Sequence, residues 1–149
     1  MIEFVRAVRG APKKRLSAVL DDAISLHRGE DPAGVSIAIM MLDDAAIAEM
    51  NASFLGHDGP TDVIAFEHGF DDPESGRFYL GDVAVNAEMA RREAAARGIP
   101  WQEELILYAA HGTLHLLGFR DKTVRERAKV RTAERELLAR HGIVPHWDD

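Results

Sequence analysis

The chain contains no cysteine, and this absence excludes two kinds of site. Disulfides cannot stabilise the fold and thiolates cannot bind a metal, which suits a reducing compartment. Long apolar runs are also missing: the most apolar one, residues 35–42, is far too short to span a bilayer. Residues 1–6 lack the apolar core and the cleavage site of a secretory signal. We therefore expect a cytoplasmic protein with no membrane partner.

Positive charge is scarce overall, since the formal net charge is -7. Phosphate binding is largely electrostatic, so this value alone weighs against a nucleic-acid partner. However, residues 1–29 carry six Lys/Arg against three Asp/Glu, and residues 120–142 carry eight against four. Residues 30–119 carry four against sixteen. An acidic middle between two basic ends can mark an interaction surface, although ordinary solvated helix faces would give the same pattern.

The length of 149 residues and the 46% of hydrophobic residues predict one domain, 1–149, with its own core. Apolar spacing predicts strands at residues 2–8, 35–42, 61–66 and 78–85, and a polar loop at 68–77. It predicts helices at residues 13–27, 43–50, 86–97, 101–117 and 122–141. Four strands and about five helices indicate an α+β fold in which helices pack on a small mixed sheet.

Two histidines on the helix predicted at residues 101–117 form a candidate metal site. His111 and His115 are four residues apart, so they project from one helix face and can offer two imidazoles to one ion. Gly118 permits a chain reversal that would bring Asp121 back as a third ligand. Three protein ligands leave an open coordination position, which is typical of catalytic metal sites. The alternative is a pair of histidines that simply pack in the core.

Three motifs resemble those of the YbeY family of bacterial endoribonucleases and rRNA maturation factors. The family signature H-G-x-L-H-L-x-G-[YF]-D-H is similar to HGTLHLLGFRD at residues 111–121. The motif L-N-x-x-Y-R-x-x-D-x-P-T-D-V-L-S-F is similar to MNASFLGHDGPTDVIAF at residues 50–66. The strand L-G-D-I-x-I is similar to LGDVAV at residues 80–85. Because the motifs occur in the family's order, the chain is identified as a member.

This resemblance implies an α+β fold like that of the metzincin proteases, with a metal-bearing helix near residues 101–117. It implies one divalent metal ion, zinc being expected first, bound by His111, His115 and Asp121, and no nucleotide cofactor. The implied activity is that of a metal-dependent, single-strand-specific endoribonuclease in small-subunit rRNA maturation and ribosome quality control. The implied partners are small-subunit rRNA and either ribosomal proteins or an assembly GTPase.

Two departures from the family pattern bear on this activity. Asp121 replaces the usual third histidine, and Arg120 replaces the aspartate before it; a carboxylate is still an accepted zinc ligand. Leu55 replaces an arginine regarded as important for RNA cleavage, and leucine cannot bind phosphate or stabilise its charge. Arg120 is a candidate for the missing phosphate contact, unless it is only an exposed turn residue.

The departure at Leu55 keeps a second class open: a ribosome-assembly factor that binds rRNA or its proteins, with a structural metal and little catalysis. A metalloprotease is a distant third, because Gly112 stands where H-E-x-x-H enzymes have their glutamate base. Asp62 and Asp82 could orient a metal-binding imidazole from behind. Alternatively, each could bond nearby backbone amides at a turn or a strand end.

Overall fold

The computed structural model describes residues 1–147. Four strands form within this range: β1 (Ile2–Arg6), β2 (Val35–Leu42), β3 (Val63–Asp71) and β4 (Phe78–Asn86). Five α-helices accompany them: α1 (Lys13–Arg28), α2 (Asp44–Met50), α3 (Ala87–Arg97), α4 (Trp101–Leu116) and α5 (Val124–Ala139). The predicted α+β fold, with a small mixed four-stranded sheet and about five helices, is confirmed.

The strands form one mixed sheet in the order β1-β2-β4-β3. β2 pairs in parallel with both β1 and β4, and β3 pairs antiparallel with β4. Seven of the eight β2 residues are buried, which explains why its sequence is apolar without alternation. A strand covered on both faces has no polar side to present.

Helix α4 is the central helix of the fold. It packs on β3 and β4, and it also contacts α1, α3 and α5. Val83 and Val85 of β4 belong to the main core under the helices, whereas Ala84 belongs to a smaller cluster with Ile47 of α2 on the other face. The alternation of β4 side chains therefore separates two apolar layers, and the histidine-bearing helix lies over the larger one.

The chain reverses directly after α4, as Gly118 predicts. Gly118 adopts a left-handed conformation with φ 106°, which residues with a side chain rarely adopt. Its N–H donates to the carbonyl of His115 at 3.1 Å, and the N–H of Phe119 donates to that of Leu114 at 3.0 Å. These two bonds satisfy carbonyls at the end of the helix and turn residues 119–121 back towards it.

Two segments differ from the predicted pattern. β3 continues to Asp71, although the polar composition from residue 68 onwards predicts a loop. Backbone pairing with β4 overrides that composition, and Phe70 packs against Tyr79 with ring centroids 5.4 Å apart. In addition, α2 continues into a π-helical turn, Asn51–Leu55, which apolar spacing did not indicate. No helix within residues 1–147 combines the length and apolar character that a membrane crossing requires.

Candidate metal centre

The two histidines of α4 are positioned by an unusually close approach of the helix to the sheet. A Cβ atom at Gly112 would lie 2.6 Å from Val83 Cγ1 and 2.9 Å from Val63 Cγ2, closer than carbon atoms normally pack. The glycine therefore lets the helix backbone rest directly on the valines of β3 and β4. This contact sets the height of α4 above the sheet at the turn that carries His111.

The ring of His111 is held by a buried carboxylate from α5. His111 Nδ1 bonds Glu134 Oε1, and Glu134 is only 2% exposed. The other oxygen of Glu134 accepts a hydrogen bond from Trp147 Nε1 at 2.9 Å. Because the carboxylate accepts from Nδ1–H, it selects the tautomer whose Nε2 keeps a free lone pair. That is how metal-binding imidazoles are usually oriented in proteins.

Asp121 faces the free nitrogen of His111. The distance from His111 Nε2 to Asp121 Oδ2 is 3.8 Å, which is too long for a hydrogen bond. Both side chains line a cavity of about 190 Å³. Burial of the His111 ring favours its neutral form, but the hydrogen bond to Glu134 and the nearby carboxylates outweigh burial and raise its pKa. The chain reversal at Gly118 thus places Asp121 opposite His111, while its role as a metal ligand stays a prediction.

His115 lies beside an ion pair. Its Nε2 is 4.0 Å from Glu67 Oε1, and burial, followed by the charge of Arg120, lowers the pKa of the ring. Arg120 Nη1 donates to Glu67 at 3.0 Å and to the carbonyl of His115 at 3.2 Å. Arg120 is therefore engaged with a carboxylate beside the second histidine, and its predicted contact with phosphate stays a prediction.

Within residues 1–147, no three histidine, aspartate or glutamate side chains stand close enough together to hold a metal ion as they are placed. The structure brings His111 to Asp121, while His115 follows one turn later with Glu67 as its nearest acid. The donor chemistry nevertheless fits a divalent ion, since two imidazoles and a carboxylate are an established ligand set for zinc. The three-ligand site stays a prediction.

Two other acids that could orient an imidazole bond elsewhere. Asp62 accepts a hydrogen bond from the backbone N–H of Val63 at 2.8 Å, so it bonds a backbone amide at the start of a strand, as the second interpretation of this residue expects. Asp62 also lines the cavity that contains His111. Asp82 bonds His68 Nε2 at 3.0 Å and the hydroxyl of Tyr79. Neither bonds a predicted ligand, and Glu134 occupies the role considered for them.

Leu55 ends the π-helical turn and is 49% exposed. The adjoining Phe54 is also exposed, although its ring packs against that of Phe66 with centroids 5.5 Å apart. Leu55 is therefore not a core residue, and the surface here has an apolar side chain where the family pattern has a guanidinium.

Glu134 is the main site residue that the sequence motifs did not indicate. The buried residues of α5 are Val130, Ala133, Glu134, Leu137 and Leu138. They follow the spacing of a helix face that packs in a core. An acid on such a face needs a partner, because burying an unpaired charge is costly. The pattern of α5 could therefore have marked Glu134, although it could not have named His111 as its partner.

The fold matches a solved structure over nearly its whole length. A solution structure of a protein from Thermotoga maritima aligns with a TM-score of 0.60 and 24% identity, covering 95% of this chain and 92% of that one. At this identity the match shows the fold alone, a small α+β domain.

The sequence comparisons show the family. The family model described as endoribonuclease YbeY matches residues 3–142. An endoribonuclease YbeY of Rhodopseudomonas palustris is 40% identical over 76% of this chain, a match that spans 60% of that relative's length. One of Nitrobacter hamburgensis is 38% identical over 95% of this chain and 75% of its own length, and one of Desulfitobacterium hafniense is 31% identical over 87% of each. The chain belongs to the YbeY family.

Proposed function

We propose that this protein is a metal-dependent, single-strand-specific endoribonuclease that acts in small-subunit rRNA maturation and ribosome quality control. The observation that carries the proposal is the placement of His111, with Nδ1 fixed by Glu134 and Nε2 facing Asp121 across a cavity. The relatives named endoribonuclease YbeY support it. Small-subunit rRNA is the proposed partner in the cytoplasm, together with ribosomal proteins or an assembly GTPase.

His111, His115 and Asp121 are the residues that would hold one divalent ion, with zinc proposed first. When bound, such an ion lowers the pKa of water and polarises a phosphoryl oxygen, and both effects serve the hydrolysis of RNA. Glu134 keeps a proton on Nδ1 of His111 and so directs the lone pair of Nε2 into the cavity.

A ribosome-assembly factor with a structural metal and little catalysis is the second candidate. The exposed Leu55 favours it, because no guanidinium is available at that position to stabilise charge on phosphate. The protease alternative loses further support from Gly112. A glutamate base there would have to fit where even a Cβ lies 2.6 Å from a valine methyl.

The test is cleavage of a single-stranded RNA by the parent protein, with zinc added and with a chelator in excess. Cleavage is expected only with the metal, and His111→Ala should reduce it to the chelated level. His57→Ala, a substitution at an exposed loop histidine, is the matched control and should cut like the parent. If the parent with metal cuts no faster than the chelated sample, the assembly-factor proposal replaces this one.

A further inference from the structure

Arg131 lies where two cavities meet beside the candidate metal centre. It lines the cavity of about 190 Å³ that contains His111 and Asp121, and also an adjoining cavity of about 430 Å³. Trp147 lines both cavities as well. Among the residues that the structure describes, Arg131 is the only cationic one that lines both cavities. A strand that passes from one cavity to the other would therefore pass its guanidinium.

Within residues 1–147, the guanidinium of Arg131 forms no ion pair with a carboxylate. Arg97, which lines the larger of the two cavities, pairs with Glu104 at 2.8 Å, and Arg120 pairs with Glu67 at 3.0 Å. Among residues 1–147, by contrast, no acid lies within ion-pair distance of Arg131. Asp62, Asp121 and Glu134 also line the smaller cavity, but none of them lies within ion-pair distance of Arg131. A half-buried guanidinium without a carboxylate at that distance can bind an added anion.

The ring of Trp147 packs against the guanidinium of Arg131 and, slightly farther away, against that of Arg135. Arg131 Cζ lies 4.7 Å from the centroid of the Trp147 ring, within the range of a cation–π contact. Such a contact uses the face of the guanidinium, and its N–H donors, which lie in the plane, stay available for phosphate oxygens. The indole is itself fixed by the hydrogen bond from Nε1 to Glu134. One buried carboxylate thus orients both His111 and the platform beneath Arg131.

We infer that Arg131, held on Trp147, binds a backbone phosphate of single-stranded RNA beside the His111–Asp121 cavity. Arg131 thereby supplies the phosphate contact that Leu55 cannot make. The choice of RNA as the ligand rests on the proposed function. The position of the Arg131 guanidinium is a structural observation and does not depend on whether the protein cuts RNA. Trp147 is a positioning residue that acts through Arg131.

The test measures binding rather than cleavage, so that it does not depend on activity. A fluorescent, 2′-O-methylated single strand, which cannot be cut, is titrated with protein in the presence of chelator at several salt concentrations. Arg131→Gln should weaken binding about tenfold, as expected for the loss of one charge-assisted contact. It should also reduce the slope of log affinity against log salt by about 0.7, one phosphate contact on a single strand. Arg125→Gln, at an exposed position of the same helix outside both cavities, is the matched control and should change neither value appreciably.

A double-mutant cycle tests the role of Trp147. Trp147→Ala should weaken binding about 2- to 5-fold in the parent, the range of an exposed cation–π contact. It should have a smaller effect in the Arg131→Gln protein, where only the contact with Arg135 at 5.0 Å remains. Equal losses in both backgrounds would overturn the positioning role. The Tm of each variant is compared with that of the parent, and only variants that unfold cooperatively are used in the cycle.

The remaining outcomes separate this inference from the proposed function. If Arg131→Gln binds the strand with the affinity and salt slope of Arg125→Gln, or if the parent binds no strand, the inference is overturned. If inorganic phosphate binds the parent and loses affinity in Arg131→Gln while the strand binds neither protein, the site binds free phosphate, and the assignment to RNA is wrong. A parent protein that binds the strand but does not cut RNA removes the proposed catalysis and leaves the loss of binding in Arg131→Gln as support for the inference.

Discussion

Replacing Gly112 with alanine should destabilise this protein, although the same change stabilises most helices. In an exposed helix interior, alanine is favoured over glycine by about 1 kcal/mol. Here the new Cβ would lie 2.6 Å from Val83 Cγ1 and 2.9 Å from Val63 Cγ2. Both neighbours are short, β-branched side chains in paired strands, so neither methyl group can swing away easily.

Overpacking of this kind costs about 1–3 kcal/mol. The 2.6 Å contact with a stiff, β-branched neighbour places the cost in the upper half of that range, about 2–3 kcal/mol, which exceeds the gain in helix propensity. We expect a net loss of about 1–2 kcal/mol in the free energy of unfolding. For a domain of this size, that loss lowers the Tm by about 3–6 °C. Differential scanning calorimetry of Gly112→Ala against the parent measures it, and Ala96→Gly on the exposed face of α3 calibrates the propensity term in the same protein.

A second substitution shows whether the valines cause the loss. Val83→Ala removes the closer contact, so the double variant should be more stable than the sum of the two single losses implies, by about 1 kcal/mol. A higher Tm for Gly112→Ala alone would refute the close approach of α4 to the sheet. Strictly additive losses would show that Val83 is not the neighbour that resists the new methyl group.

The remaining predictions concern the candidate metal centre, the dependence of protein stability on pH, and the exposed residue Leu55. Glu134→Gln should weaken zinc binding about 10- to 100-fold, measured by competition with a chelator, because the His111 ring loses its orienting carboxylate; unchanged affinity would contradict that role. The hydrogen bond from Arg140 holds the pKa of Asp22 below its usual range. The ion pair therefore stabilises the protein at pH values above the pKa of Asp22 in the unfolded chain, and this stabilisation is lost as the pH falls through the pKa of Asp22 in the folded protein. Asp22→Asn should therefore lower the Tm by about 2 °C at neutral pH and by less near pH 3, whereas an equal loss at both would exclude the ion pair as its cause. Leu55→Arg should change stability by less than about 0.5 kcal/mol, since the side chain is 49% exposed, and should raise the rate of RNA cleavage; a large drop in Tm would show that Leu55 packs against the fold.

The elements that were predicted closely are those whose signal is local. The nearly continuous apolar run at residues 35–42 predicts the bounds of β2, and Gly118 predicts the chain reversal after α4; both are found where they are expected. The end of β3 was not, because its last residues are polar and form a strand only through their pairing with β4. Composition describes a segment by itself, whereas pairing depends on a partner that the segment does not contain.

The candidate site shows the same division. The spacing of His111 and His115 is a local property of one helix, and it is sufficient to predict that both side chains project from the same face of α4. The partners of that face come from elsewhere: Glu134 lies 23 residues further along, and Trp147 lies beyond the last helix. Their roles depend on how α5 packs against α4, and this packing cannot be predicted from the residue spacing within either helix.

Because Glu134 follows His111 in the chain, the ribosome synthesises the histidine before the carboxylate that orients it. The helix that carries both histidines is complete before α5 has been made. At ordinary rates of elongation, the 23 residues that separate His111 from Glu134 take about 1–5 s to add. For that interval the nascent chain carries a histidine whose ring has no carboxylate to orient it. The centre is therefore completed only when the last helix docks, so that a ribosome still translating this message holds an unfinished site.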